Sequence, residues 1–156
     1  MLTKEALYQQ FIQQTEGLLQ GEQDMIANMA NFSALYFETF APHWAGFYLV
    51  KGDELVLGPF QGPVACTRIA FGKGVCGVAW KENTTQIVDN VHAFEGHIAC
   101  SAHSNSEIVL PFYYQDNIFG VFDVDATEFA NYDNVDKTNL EKALNILSKA
   151  CLQVSD

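Results

Sequence analysis

Cys100 lies in the segment EGHIACSAHSNSEIVLP, between His97 and His103, with the carboxylate Glu107 a few residues on at the head of an apolar run. A cysteine is a nucleophile only as its thiolate, a form promoted by positive neighbours, helix N-termini or a proton acceptor. His97 and His103 are placed in the sequence to serve Cys100 in that way. Cys76 follows GKG at the expected start of a short helix, where backbone N–H groups would lower its pKa. Cys66 is expected at a strand start behind Gly62 and Pro63, with Arg68 two residues on. Cys151 reads as core. The four cysteines form no C-x-x-C pair and show no zinc-finger spacing, so no metal is expected. Redox or nucleophilic chemistry is the leading option.

The second group of candidates is acidic. Side chains alternate along a strand, so in GVFDVDAT the residues Val121, Asp123 and Asp125 share one side and Phe122 and Val124 the other. The short QDN turn pairs this strand with the one opened by Glu107, which brings Glu107 toward Asp125. Three converging acids raise one another's pKa values, and a carboxyl kept protonated near neutral pH can donate to a substrate oxygen. Trp44 and Tyr48, four positions apart on another strand, share a face. If it is the face of the acids, they wall a small-molecule pocket.

These groups need a scaffold. Residues 4 to 19 carry Leu7, Tyr8, Phe11, Ile12, Leu18 and Leu19 at helical period, ended by Gly21. A second helix is expected from about 23 to 40, with Met25, Ile26, Met29, Phe32, Tyr36, Phe37 and Phe40 inward and Pro42 blocking its continuation. WAGFYLV, KGDE and LVLG read as a strand, a turn and a returning strand. CTRIAF and TQIVDN are short strands on either side of a short helix in GKGVCGVAWKEN. The segment from 90 to 106 lacks periodicity, and long irregular segments in compact domains are often functional. EIVLPFYY and IFGVFDVDAT are the clearest strand pair and are expected at the centre of the sheet. Asn131 and Asp133 are N-cap candidates for a last helix with Leu140, Leu144, Leu147, Cys151 and Val154 on one stripe. The pattern is α+β: a single domain over 1–156, with a mainly antiparallel central sheet, N- and C-terminal helices on one face and pocket-forming loops on the other.

Composition narrows the partners. The chain has 156 residues, enough for one core without disulfides or metal. Eight Lys and Arg against nineteen Asp and Glu give a net charge of -11, which repels phosphate backbones and anionic membrane surfaces. Neither nucleic acid nor membrane is expected. The N-terminal residues do not read as a signal peptide, and a cytoplasmic location is expected.

HWAGFYL, LVLGPFQGPVACTRIAFGKGVCGVAW, VHAFEGHIAC, SNSEIVLP and GVFDVDAT together resemble the free methionine-(R)-sulfoxide reductases, a family built on a GAF domain. The resemblance covers residues 5 to 150. Two positions depart from the family pattern: Asn90 stands where Asp is expected, and Glu95 where Pro is expected. The resemblance implies a GAF-like fold and reduction of free methionine-(R)-sulfoxide to methionine, with no bound cofactor, a disulfide left on the enzyme and thioredoxin as external reductant. It assigns the functional cysteines to Cys66, Cys76 and Cys100, with Cys100 as attacker, Cys66 as resolving partner and Cys76 as rival for either role. The acidic substrate-binding residues fall on Glu107, Asp123 and Asp125, and the aromatic pocket residues on Trp44 and Tyr48. GAF relatives often pair through their helices, so a homodimer is expected.

Two other functions fit parts of the pattern. A GAF-type module could sense a small ligand or oxidants without catalysis. A cysteine hydrolase would use Cys100 with His97 or His103 and predicts a Cys–His hydrogen bond.

Overall fold

The computed structural model describes residues 1–98, 100 and 102–152. Among them the chain forms α1 (Lys4–Leu19), α2 (Met25–Phe40), β1 (Trp44–Lys51), β2 (Glu54–Gln61), β3 (Arg68–Ala70), α3 (Gly74–Glu82), β4 (Gln86–Val88), β5 (Ser106–Tyr114), β6 (Asn117–Ala126) and α4 (Asn134–Leu152). The six strands make one antiparallel sheet in the order β3-β2-β1-β6-β5-β4. The expected centre is therefore corrected in part. β6 is central, but its central partner is β1, and β5 lies one place out.

Local chemistry explains the helix ends. Thr3 caps α1 through its side chain, and Asp24 caps α2 by accepting from the Ala27 N–H. α2 stops at Ala41, in the left-handed conformation, just ahead of Pro42. Asp133 accepts from the N–H groups of Val135 and Asp136 at the start of α4. Asn131 is no cap: its N–H donates to the Ser106 hydroxyl and its carbonyl accepts from Lys4. Val154, expected on the last stripe, lies outside the described residues.

α1, α2 and α4 cover one face of the sheet. Tyr8, Phe11, Phe32 and Tyr36 meet Phe47, Phe112 and Phe122 there in a fully buried aromatic core. Leu18 and Ile26, expected inside, are exposed; Thr15 is buried in α1 instead, its hydroxyl bonded to the Phe11 carbonyl one turn back. Asp136 ties α1 to α4, accepting from Lys4 Nζ at 2.7 Å and from the Tyr8 hydroxyl at 2.6 Å. The opposite face carries Trp44, Tyr48, Val109 and Val121 and is covered by α3 and by the loops that hold Cys66 and Cys100. No described helix is long and apolar enough to cross a membrane.

Candidate active site

Strand register assembles the acids. Glu107 on β5 pairs with Asp125 on β6, and Asp125 pairs on its other side with Trp44 on β1. Two residues along β6, Asp123 lies opposite Val109 and Gly46. Directly opposite residues of an antiparallel pair project to the same face, so Glu107, Asp123, Asp125, Trp44 and Tyr48 all line one cavity, as do Cys76 and Cys100. The aromatics and the acids do share a face.

Burial dominates the electrostatics. Desolvation pushes the Glu107 and Asp125 carboxyls well above the ordinary carboxylate range, and the neighbouring Asp123 charge pushes them further. Asp123 is also raised by burial, but hydrogen bonds from Glu107 and Cys76 act in the opposite sense and favour its ionised form. One Asp123 oxygen, Oδ1, is buried without a hydrogen-bond partner. A buried polar atom left unpaired is costly unless a ligand satisfies it.

Cys66 and Cys100 are joined by a disulfide with Cα atoms 5.4 Å apart, across 34 residues of sequence. Cys66 is not at a strand start: it lies in the loop ahead of β3, and exposed Arg68 turns away to Glu54 at 3.2 Å. The pocket aromatics fix this loop. The Tyr48 hydroxyl donates to the Cys66 carbonyl at 2.8 Å, and Trp44 Nε1 donates to the Pro63 carbonyl at 3.1 Å. Gly62, at φ 133°, lies so close to Trp44 that a Cβ would come within 2.8 Å of its ring.

Cys100 belongs to the segment from 90 to 106, whose ends are pinched together. The Val91 N–H donates to the Asn105 carbonyl at 3.0 Å, and the His92 ring contacts the Asn105 side chain at 2.8 Å. Asn90, the first departure from the family pattern, accepts from the His92 N–H and starts the one-turn 3-10 helix Val91–Ala93. Glu95, the second, is exposed. Ile98 packs over Gly74 at the start of α3, where any side chain would meet it.

Cys76 departs from expectation. It does sit in the first turn of α3, but it is buried, and desolvation together with the charges of Asp123, Glu107 and Asp125 drives its thiol well above the usual range. A nine-residue helix does not offset a buried acid cluster at its N-terminus. His97 lines the cavity, its pKa lowered by burial and by His92; the His103 ring lies 5.9 Å from that of His43. A hydrolase needs Cys100 as a free thiol, and here Cys100 is bonded to Cys66.

Sequence reading missed Phe60, which stacks on Trp44 with ring centroids 5.1 Å apart, and the rim residues Val64 and Ile98. Gly58 and Pro59 made β2 look complete at LVLG. It continues to Gln61 because β3 pairs only with its first three residues and Gly58 and Pro59 take up a bulge, two β2 residues standing opposite Phe47 alone.

An antiparallel sheet backed by terminal helices, with loops roofing a pocket on its other face, defines a GAF-type domain, here with a cysteine pair above buried acids. No protein-family model matches the chain. It is 53% identical over 93% of its length to GAF domain-containing protein A of Dictyostelium discoideum, of which it covers 92%. It is 45% identical over 95% of its length to the free methionine-R-sulfoxide reductase of Escherichia coli, of which it covers 90%. The X-ray structure of free methionine-R-sulfoxide reductase from Neisseria meningitidis in complex with its substrate superposes with a TM-score of 0.94 at 45% identity, covering 97% of this chain and 92% of that one. The chain belongs to the free methionine-R-sulfoxide reductase family.

Proposed function

We propose that the chain reduces free methionine-(R)-sulfoxide to methionine in the carboxylate cavity, acting as a single catalytic domain over 1–156. The observation that carries the reading is the Cys66–Cys100 disulfide beside the three acids of the cavity, Glu107 and Asp123 buried and Asp125 half-buried, the state an enzyme of this family reaches after one turnover.

The Cys100 thiolate attacks the sulfoxide sulfur while the sulfoxide oxygen takes a proton from a carboxyl of the cavity. Glu107 and Asp125, held protonated by burial, are the donors. The hydroxyl so formed passes from the substrate sulfur to the Cys100 sulfur as the transient S–S bond breaks, so methionine leaves as the thioether and Cys100 is left as a sulfenic acid. The Cys66 thiol condenses with it, releasing water and forming the disulfide. The partial exposure of Cys66 and Cys100, against the burial and raised pKa of Cys76, favours them for these roles. Cys76 instead donates to Asp123 and helps keep it ionised.

Asp123 receives the substrate ammonium on its unpaired oxygen, and the thioether end rests on Trp44 and Tyr48. A sulfoxide within a polypeptide has no ammonium to offer and meets an enclosed roof. Thioredoxin returns the disulfide to two thiols in a cytoplasmic setting, and the enzyme works as a homodimer.

The test follows NADPH consumption with thioredoxin and thioredoxin reductase, supplying free methionine-(R)-sulfoxide, its (S) epimer and the N-acetylated (R) form. Consumption with the free (R) form alone is expected. Turnover of all three at comparable rates removes the ammonium and enclosure argument. No turnover with thioredoxin, but turnover with a chemical dithiol, removes only the reductant.

A further inference from the structure

The cavity contains a grouping that the reduction does not use as such. Cys76 Sγ and carboxylate oxygens of Glu107 and Asp123 all lie within 4.8 Å of one another, and all three residues are buried. They come from three different elements, α3, β5 and β6, so the cluster is held by the fold rather than by a flexible loop. Asp123 is 6% exposed, and its Oδ1 has no hydrogen-bond partner. Among the described lining residues there is no Lys or Arg; the one basic group is His97. A thiol and two carboxyls therefore face a shared space without a fixed counter-cation.

We propose that Cys76, Glu107 and Asp123 form a site for a thiophilic divalent cation of the Zn2+ type, with three protein ligands and a fourth position open to water. Zinc bonds thiolate sulfur at about 2.3 Å and carboxylate oxygen at about 2.0–2.2 Å. At tetrahedral angles those bonds put ligand atoms about 3.3–3.7 Å apart, so the cluster closes on the ion by side-chain movements of about 1 Å. Magnesium and calcium, which take six or more oxygens and shun thiolate, fit poorly. The ion occupies the Asp123 oxygen that the substrate ammonium uses, so metal and substrate exclude each other. The grouping also survives oxidation: with Cys66 and Cys100 bonded, Cys76 is still a thiol. The site is thus separable from the reductase reading and from metal capture by the reactive cysteines.

The test uses the full chain in its disulfide form, where Cys66 and Cys100 cannot ligate, titrated with Co2+ and then Zn2+. One Co2+ per chain is expected, with a near-ultraviolet thiolate-to-cobalt band that one equivalent of Zn2+ abolishes. The band is expected to survive in Cys151→Ser, to vanish in Cys76→Ser, and to need at least tenfold more Co2+ in Asp123→Asn. A wild-type protein without the band, or a band that persists in Cys76→Ser, overturns the site. If Cys76→Ser does not fold, unchanged Co2+ affinity in Asp123→Asn overturns it instead.

Discussion

Replacing Glu107 with Gln should remove activity and raise stability together. Glu107 is buried beside Asp123 and Asp125, and its folded pKa stands well above that of an unfolded glutamate, about 4.3. Between the two pKa values the native state therefore binds more protons at this site than the unfolded state does. Each pKa unit corresponds to about 1.36 kcal/mol, so keeping this carboxyl protonated at pH 7 costs at most about 4 kcal/mol. The sign follows from linkage: the penalty is absent below the unfolded pKa and grows as pH rises toward the folded one. A Gln at 107 is neutral at every pH, and its amide N–H groups can donate to Asp123 and Asp125 as the protonated carboxyl does. A net gain of about 1–2 kcal/mol at pH 7 is expected, or about 2–8 °C in Tm for a chain of this size. The gain should vanish near pH 4. Thermal melts of the disulfide form at the two pH values measure it, with NADPH-coupled turnover as the second readout. A Glu107→Gln protein less stable than wild type at pH 7, or one with wild-type kcat, would refute the protonated-acid argument.

Further substitutions probe the parts around this cluster. Cys100→Ser should yield no methionine, whereas Cys66→Ser should release about one equivalent per chain and then stall at the sulfenic acid, as counted by amino-acid analysis of a thioredoxin-driven reaction. Tyr48→Phe removes the hydrogen bond to the Cys66 carbonyl; a loss of about 1 kcal/mol in denaturant melts is expected, with slower disulfide formation after the first methionine appears in quenched-flow samples. Gly46→Ala puts a Cβ 2.2 Å from Phe60 Cβ and 2.7 Å from its Cα, backbone-anchored atoms that cannot swing away. That substitution should cost about 3 kcal/mol, and a Tm within 2 °C of wild type would show that β2 yields more readily than the geometry indicates.

Features governed by local rules were legible in the sequence. Helical period gave α1 and α2 to within about two residues, and alternation on β6 gave the shared side of Asp123 and Asp125. The short turn at 115–117 was enough to bring Glu107 toward Asp125. Features set by distant packing were not legible. The helix-terminus argument for Cys76 is sound for an exposed thiol and fails for a buried one, and only the assembled sheet shows the acids beside it. The meeting of Cys66 with Cys100 spans 34 residues and two loops, so it entered through family resemblance rather than through spacing. Phe60 was hidden because Pro59 normally ends a strand, whereas here Gly58 and Pro59 form a bulge opposite Phe47 and the strand resumes beyond it.

The two faces of the sheet divide the work of stability and chemistry. Facing α1, α2 and α4, β1, β5 and β6 present Phe47, Phe112 and Phe122, all fully buried, together with their apolar neighbours. On the other face the same three strands set Glu107 directly opposite Asp125, with Asp123 two residues along. Like charges at opposite positions destabilise a sheet, so this arrangement persists only if some of the carboxyls stay protonated. In the proposed reaction those protons are what sulfoxide reduction consumes, and the carboxylate that remains is what the substrate ammonium seeks. The same crowding that weakens the fold therefore supplies both the acid and the anion. It can be sustained on β6 and its neighbours because the aromatic core behind them holds the strands in register.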